Sequence, residues 1–454
     1  MRKILILSIA YIFFSTGVGF AQSAQFEVKS KVVEHYSKSV GDTGMDVKEK
    51  YKSYIVTLEA EKISVRKGVA EKIYDFTSDK LILVNHHNHT FIKTSLYAIP
   101  AFRDFENKRR SYLEKKAQES TGATLVTDPF YLEALFGDKP DSEIADKVKV
   151  VNQNDETQYL YGGDEVAFYM MSDYPLREGV RDSYKKYLVY EHNIHPIIWR
   201  DLSEKDVVFS SLSYMLKQVV PSLTEVNLSI SDFVEEGVGV IGIPDGYVEE
   251  YSRNKRLNKV VKLSKNKKEK TIDEYFEEIN GLVDKKKHME ASLLFHEYAV
   301  QTGGEGVEAR KAEVQRIFSE APKGSGVLDL TNAIRQQPKT KSKDQLQKAI
   351  NIIDKERQRG DKHSYILNVY LANYLAMAGK TDEAKDLILQ ALENNPFLLA
   401  AYKDLGDKYF KDLDMVNAWA SWDQMRRLNP DYMLSPHIDS FEQQIRKRHP
   451  VYFK

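Results

Sequence analysis

Three histidines within five residues form the densest group of histidines in the sequence. Asn85, His86, His87, Asn88 and His89 lie between two runs with strand-like alternation. Alternation places His87 and His89 on one face, where two imidazoles could bind zinc or copper. His86 points to the opposite face and no third ligand is evident, which favours a polar hairpin tip. We therefore predict no metal site, with His87 and His89 as the weak candidate pair.

Four other short motifs imitate catalytic sequences. Glu191 to His195 contains two histidines three residues apart, whereas the helical zinc-protease motif places them four apart. Asp42 to Gly44 has the letters of an aspartic-protease loop, but no second triplet supplies the partner carboxylate. Gly379 to Thr381 lacks the first glycine of a phosphate-binding loop, and Gly324 to Gly326 lacks the spacing of a nucleophile elbow. We therefore predict a protein that is not an enzyme and has no cofactor.

The first 21 residues have the pattern of a secretory signal peptide. Arg2 and Lys3 precede an apolar run from Ile4 to Phe14, and the small residues Gly19 and Ala21 follow. The run is shorter than the ~20 residues that a membrane span needs, although a membrane anchor is the alternative. We expect cleavage after Ala21, export to the periplasm or beyond a bacterial (Gram-negative) cell, and no integral span in the mature chain.

The composition narrows the class of protein further. The chain contains no cysteine, which excludes disulfide bonds, thiolate metal sites and cysteine nucleophiles. Its formal net charge is −1, so it has no excess of basic residues with which to neutralise nucleic-acid phosphates. A chain of 454 residues can bury sufficient cores without disulfides. These features are typical of a bacterial cell-envelope protein that does not bind nucleic acid.

The first half of the chain has the pattern of strands. From Gln25 to about Leu96 apolar and polar residues alternate, which predicts an antiparallel sheet. Further strands are expected downstream, including Tyr187 to Tyr190, and a helix is expected from Asp201 to Gln218. Ser252 to Lys270 is crowded with basic residues, which favours a solvated linker over the alternative of a basic patch for a membrane surface.

The C-terminal region repeats with a period of 34 residues and has helical spacing throughout. Small residues recur where two helices must approach closely, and prolines recur where the second helix of each pair must stop. The matched positions are Leu371 with Leu405, Ala372 with Gly406, Leu375 with Tyr409, Ala384 with Ala418, Ile388 with Trp422, and Pro396 with Pro430.

These matches resemble the tetratricopeptide repeat (TPR) over about residues 364–431. The resemblance implies an array of helix pairs that presents a groove to a peptide or protein partner. An array that only packs against its own N-terminal domain is the alternative. The structural and groove candidates are Asn368, Ala372, Ala384, Tyr402, Lys403, Gly406, Ala418 and Arg426.

The strand rhythm from Ile73 to Lys93 is similar to envelope half-barrels of the lipoprotein-carrier type. That resemblance implies a pocket for a lipid or acyl chain, or a sheet docked on a partner, and it carries over no functional residue. We accordingly predict an α+β protein. A signal peptide is expected at 1–21, followed by a β-rich domain at 22–251 with a subdomain break near 100–145. A basic linker at 252–270 then leads to a helical array at 271–454, which ends in a capping helix at 435–448.

Two functions follow from this organisation. The first is a non-enzymatic periplasmic scaffold whose repeats bind a protein or peptide in the cell envelope. The alternative is a carrier in which the N-terminal β domain holds an apolar ligand such as a lipid.

Overall fold

The computed structural model describes residues 23–37, 45–121, 128–217, 223–235, 238–335 and 343–453. Strands with a few helices occupy the first 250 residues and helices the remainder, so the predicted α+β class is confirmed. The expected signal peptide at 1–21 and the triplet Asp42 to Gly44 lie outside the described residues. Within the described ranges, no helix combines the length and apolar character that crossing a membrane requires.

One sheet contains every strand of the described chain. The strands are β1 (Ser23–Ser37), β2 (Met45–Glu59), β3 (Lys62–Lys67), β4 (Ala70–Asp75), β5 (Lys80–Asn85), β6 (Thr90–Ser95), β7 (Val148–Gln153), β8 (Glu156–Tyr161), β9 (Asp164–Pro175), β10 (Val207–Lys217), β11 (Leu223–Val234) and β12 (Val248–Glu250). Their order is β12-β6-β5-β4-β3-β2-β1-β11-β10-β9-β8-β7. Neighbours are antiparallel except β12 and β6, and β1 to β6 follow one another as a meander.

The helices follow the strands along the chain, apart from five that interrupt the sheet. They are α1 (Ala98–Thr121), α2 (Pro129–Phe136), α3 (Ser142–Ala145), α4 (Glu178–Glu191), α5 (Pro196–Glu204), α6 (Lys255–Asn266), α7 (Ile272–Asp284), α8 (His288–Thr302), α9 (Lys311–Ser319), α10 (Val327–Arg335), α11 (Lys343–Gln358), α12 (Leu367–Met377), α13 (Thr381–Asn394), α14 (Leu399–Lys411), α15 (Met415–Leu428) and α16 (Ser435–Arg448).

The centre of the sheet is covered on one face by α4, which packs against β1, β2 and β3. Alternate residues of β1, including Phe26, are fully buried there, as are Tyr184 and Tyr187 of α4. The Phe26 and Tyr187 rings meet edge to face at 5.9 Å. The hydroxyls of Tyr54 and Tyr187 lie 3.2 Å apart, so the buried phenol groups form hydrogen bonds. This aromatic core accounts for much of the tyrosine content of the sequence.

Two predicted elements differ from the structure. The strand expected over Tyr187 to Tyr190 belongs to α4, and the helix expected over Asp201 to Gln218 is the end of α5 followed by β10. Leu212, Tyr214 and Leu216 are buried at period two, because β10 pairs with β9 on one side and β11 on the other. The apolar residues of β10 also fit the spacing of a helix, and the pairing with β9 and β11 is what selects the strand.

The basic segment 252–270 differs as well, since it contains the packed helix α6. Leu257, Val260 and Val261 are at most 1% exposed and lie at i, i+3 and i+4, on the face that contacts α13. Arg256 Nε donates to Glu393 Oε1 of α13 at 3.0 Å. The lysines that suggested a solvated linker occupy the remaining surface of an amphipathic helix.

The predicted repeat region forms two helix pairs, α12 with α13 and α14 with α15. Gly406 permits the second pair to close, because a Cβ at this position would overlap the Trp422 indole and lie 3.0 Å from the carbonyl oxygen of Ala418. The predicted last helix, 435–448, coincides with α16, whose Glu442 accepts a hydrogen bond from Trp419 Nε1 at 2.7 Å. The helix pairs and α16 thus share one core.

The C-terminal segment 449–453 returns to the sheet. Tyr452 is 1% exposed within the core formed by the sheet and α4. Tyr190 donates a hydrogen bond to the backbone oxygen of Tyr452 at 2.9 Å, and Arg103 of α1 donates to its hydroxyl at 2.5 Å. Because α15 also packs against β6 and α1, the helical array is attached to the sheet at two places.

Candidate functional site

A groove of about 310 Å³ opens on the face of the array formed by α10, α12 and α14. Helices α12 and α14 are the first of their pairs, α10 packs against α11, and side chains of all three helices line the groove. The lining residues are Ile334, Tyr370, Asn373, Tyr374, Ala376, Met377, Thr381, Asp404, Asp407, Lys408 and Lys411.

The floor of the groove is a hydrogen-bonded polar row. Asn373 Nδ2 donates to Asp404 Oδ2 at 2.6 Å, and Lys408 Nζ donates to Asn373 Oδ1 at 2.7 Å. Burial raises the pKa of the Asp404 carboxyl and lowers that of the Lys408 amine. Both groups have therefore lost much of their hydration, and each gains from a hydrogen-bonding ligand that reaches the floor. Peptide amide groups have both the donor and the acceptor that such a row requires.

The walls of the groove are apolar and aromatic. Met377 is 52% exposed at the end of α12, whereas Ile334 of α10 and Tyr374 of α12, which also line the groove, are 8% and 3% exposed. Tyr374 is anchored by its hydroxyl, which donates to the backbone oxygen of Ala333. A flexible methionine next to a fixed aromatic ring suits a surface that adapts to apolar side chains of a partner.

Helix α8 borders the groove, because it packs against both α10 and α14. The rings of His296 on α8 and Tyr370 on α12 are 5.5 Å apart and meet edge to face. Burial lowers the pKa of His296 to about 4, so this imidazole is neutral at ordinary pH. Tyr370 thus forms the boundary between the groove and the part of the array that α8 covers.

A buried carboxylate fastens α8 to the array. Glu297 accepts hydrogen bonds from His363 Nδ1 at 2.8 Å and Asn395 Nδ2 at 2.8 Å. These residues precede α12 and α14, the two helices that line most of the groove. Burial alone would raise the pKa of Glu297, but hydrogen bonds, above all from His363, outweigh it and lower the pKa. The network fixes the spacing of the groove helices from outside the groove.

The four small candidates from the repeat and Tyr402 lie between helices and not on the groove surface. Ala372, Ala384, Tyr402 and Ala418 are 0% exposed, and Gly406 is buried beside them. Their role in the structure is the helix packing that positions the groove.

The three polar candidates fall in different places. Asn368 is 5% exposed inside the array. Lys403 forms an ion pair with Asp407, which lines the groove. Arg426 faces α16, where its Nη1 lies 2.9 Å from Glu442 Oε2.

The residues that line the groove were missed by sequence reasoning, although a signal for them exists. Tyr370, Asn373 and Met377 are separated from Asp404, Asp407 and Lys411 by the same 34 residues that align the small residues. Spacings of three and four place each trio on one helix face. A search for recurring polar and aromatic positions at the repeat period would have indicated this surface.

The histidine-rich tip is a hairpin turn between β5 and β6, as the sequence favoured. His87 and His89 are exposed, whereas His86 is bonded to Glu71 at 2.7 Å and to Tyr247 at 2.9 Å. Across the described ranges, no group of three or more histidine, aspartate or glutamate side chains is arranged to hold a metal ion.

The segment Glu191 to His195 serves packing. Glu191 is an ion-pair partner of Lys72 at 2.7 Å and of Lys67 at 3.1 Å. His195 Nε2 lies 2.9 Å from Glu133 Oε2, and its ring stacks on an aromatic ring of α2 at 4.2 Å. The two histidines therefore have separate surroundings on either side of the α4–α5 connection.

No protein-family model matches the sequence, and no curated protein matches it. Among solved structures, the chain has a distant likeness to one described as lipid-protein interactions in lipovitellin, with 8% sequence identity and a TM-score of 0.18. The aligned region covers 95% of this chain and 56% of that chain, so this chain spans little more than half its length. A TM-score of 0.18 does not define a shared fold.

Proposed function

We propose that the protein is an exported, non-enzymatic scaffold that holds a peptide segment of a partner protein in the groove of α10, α12 and α14. The observation that carries this proposal is the pairing of a dehydrated polar floor with an apolar wall on which Met377 is exposed. Asn373, Asp404 and Lys408 form the floor, while Tyr374 and Met377 form a wall. A peptide backbone has the hydrogen-bonding groups that the polar floor requires, and apolar side chains of the peptide pack against the wall.

The 34-residue recurrence of the lining residues supports the same function. Tandem repeats that present equivalent positions along one surface bind extended partners rather than single small molecules. The N-terminal basic and apolar pattern supports export, so we place the partner in the cell envelope.

A carrier of an apolar ligand is the alternative function. The sheet face next to α4 is filled by the aromatic residues Phe26, Tyr184 and Tyr187, which leaves that face to the protein core. The outer face of β1, β2 and β11 has an open groove of about 510 Å³ lined by Lys29, Tyr51 and other side chains. At the centre of the sheet, a bound lipid would have to use this outer surface.

Site-specific photo-crosslinking tests the proposal. A photoreactive amino acid replaces Met377 in the groove or, as the matched control, the exposed Gln390 on α13 of the same helix pair. We expect a protein adduct from position 377 that is absent from position 390 and is lost when the exposed rim residue Lys411 is changed to Glu. Equal labelling at both positions would contradict the proposal. A lipid found by native mass spectrometry, with no protein adduct, would favour the carrier.

A further inference from the structure

Strand β7 is an edge of the sheet. The strand order ends at β7, and no other strand of the described chain pairs with its outer side. Its six residues pair with β8 from Val148 opposite Tyr161 to Gln153 opposite Glu156. An edge of this length presents a row of free backbone donors and acceptors.

The turn determines which backbone groups face outward. Asn154, with φ of 55°, and the next residue form a two-residue turn between Gln153 and Glu156. The pair that closes such a turn is hydrogen-bonded, and hydrogen-bonded pairs then alternate along the ladder. Val148, Val150 and Asn152 therefore direct their N–H and C=O groups away from β8.

Two of these residues, Val148 and Val150, bear apolar side chains on the core face of the sheet. Val150 is opposite Tyr159, which is 1% exposed within the core, yet Val150 itself is 46% exposed. The core face is thus uncovered at this edge. Lys149 projects from the other face because side chains alternate along a strand.

We propose that β7 pairs in antiparallel fashion with β7 of a second copy of this chain, centred on Val150. In this register Val150 of one copy is opposite Val150 of the other, and Val148 of each copy is opposite Asn152 of the other. The outward N–H and C=O groups of the two strands can therefore form hydrogen bonds with each other. Lys149 is opposite Val151, and no like charges face each other directly. The interface is isologous, so the same edge supplies both halves of the dimer.

The size and charge of the interface set the strength of the dimer. One strand pair buries less than the ~1,200 Å² of a standard interface, so we expect a dissociation constant on the order of 100 µM. The two Lys149 side chains lie diagonally across the interface, at ~7–8 Å, and repel each other. Salt screens this repulsion, so the dimer strengthens as salt concentration rises.

Sedimentation velocity of the mature chain from ~5 to ~500 µM tests the proposal. We expect a reversible monomer–dimer equilibrium that Val150→Pro abolishes, because proline removes the outward N–H and no bond to β8. The matched variant Val150→Thr keeps the N–H and the β-branched shape, and retains the dimer. Circular dichroism confirms that both variants are folded.

Three results would overturn the proposal. They are a monomer at every concentration, a dimer that survives Val150→Pro, and a wild-type dimer that weakens as salt is added. Amide hydrogen exchange adds an independent readout, since the amides of Val150 and Asn152 must gain protection with protein concentration.

Discussion

The close contact between Gly406 and Trp422 makes the substitution Gly406→Ala a sensitive test of the array. Alanine favours the helix by about 1 kcal/mol over glycine. The added Cβ overlaps the Trp422 indole, and overpacking of a core costs about 1–3 kcal/mol. The indole cannot withdraw easily, because Trp419 lies 5.1 Å away and Phe441 borders it as well. Overpacking therefore falls at the upper end of its range and outweighs the helix gain, and we expect a net loss of about 1–2 kcal/mol.

The first helix pair supplies the compensating change. Ala372 and Ile388 occupy in that pair the positions of Gly406 and Trp422. Trp422→Ile alone leaves a cavity and costs about 2–4 kcal/mol. In Gly406→Ala/Trp422→Ile the new methyl group enters that cavity, so the double variant should be more stable than the sum of the single changes by about 1–2 kcal/mol.

Urea unfolding followed by circular dichroism measures the four stabilities of this cycle. The control Ala372→Gly removes a methyl group at the equivalent position and should destabilise, by about 1 kcal/mol or more. If Gly406→Ala is as stable as the wild type, or if the cycle shows no coupling, the steric account of this helix pair is wrong.

Three further predictions concern the C-terminal attachment and buried histidines. Tyr452→Ala should cost about 3–5 kcal/mol in urea unfolding, because it empties a buried site between the tail and α4, while α15 still joins the array to the sheet. Burial alone would lower the pKa of His449, but hydrogen bonds to Asp104 and Asp138 raise it. The free energy that protonated His449 contributes to folding is therefore fully present below about pH 6.5 and is lost as pH rises through the folded-state pKa. His449→Gln should remove this pH dependence from the midpoints of urea unfolding. Burial lowers the pKa of His192 to about 4, so protonation of this imidazole should by itself lower the stability by about 3 kcal/mol from pH 6.5 to pH 4. His192→Gln should remove that part of the fall in acid titrations.

The elements that were predicted correctly have local signals. The meander from β2 to β6 alternates between polar turns, and each strand pairs with its sequence neighbour. The helix pairs α12–α13 and α14–α15 repeat at 34 residues, and α16 begins with Ser435 followed by proline. In each case the residues that define the element lie within one turn or one repeat of each other.

The elements that were missed depend on distant partners. Strand β10 is selected by its pairing with β9 and β11, since its short apolar run also fits a helix. Helix α6 was not predicted because the many lysines and arginines of its segment favoured a linker, although Leu257, Val260 and Val261 have the spacing of a helix face. The groove depends on α8, whose position beside Tyr370 follows from tertiary contacts of His296 and Glu297.

The return of Tyr452 to the sheet has a consequence for the order of events during synthesis. Strand β1 is made early, yet it pairs with β11, and the core beneath it includes Tyr452, more than 400 residues further along the chain. A growing chain cannot complete that core until Tyr452 has left the ribosome. Completion of the core must therefore be a late and slow step, because it joins segments that are distant in sequence.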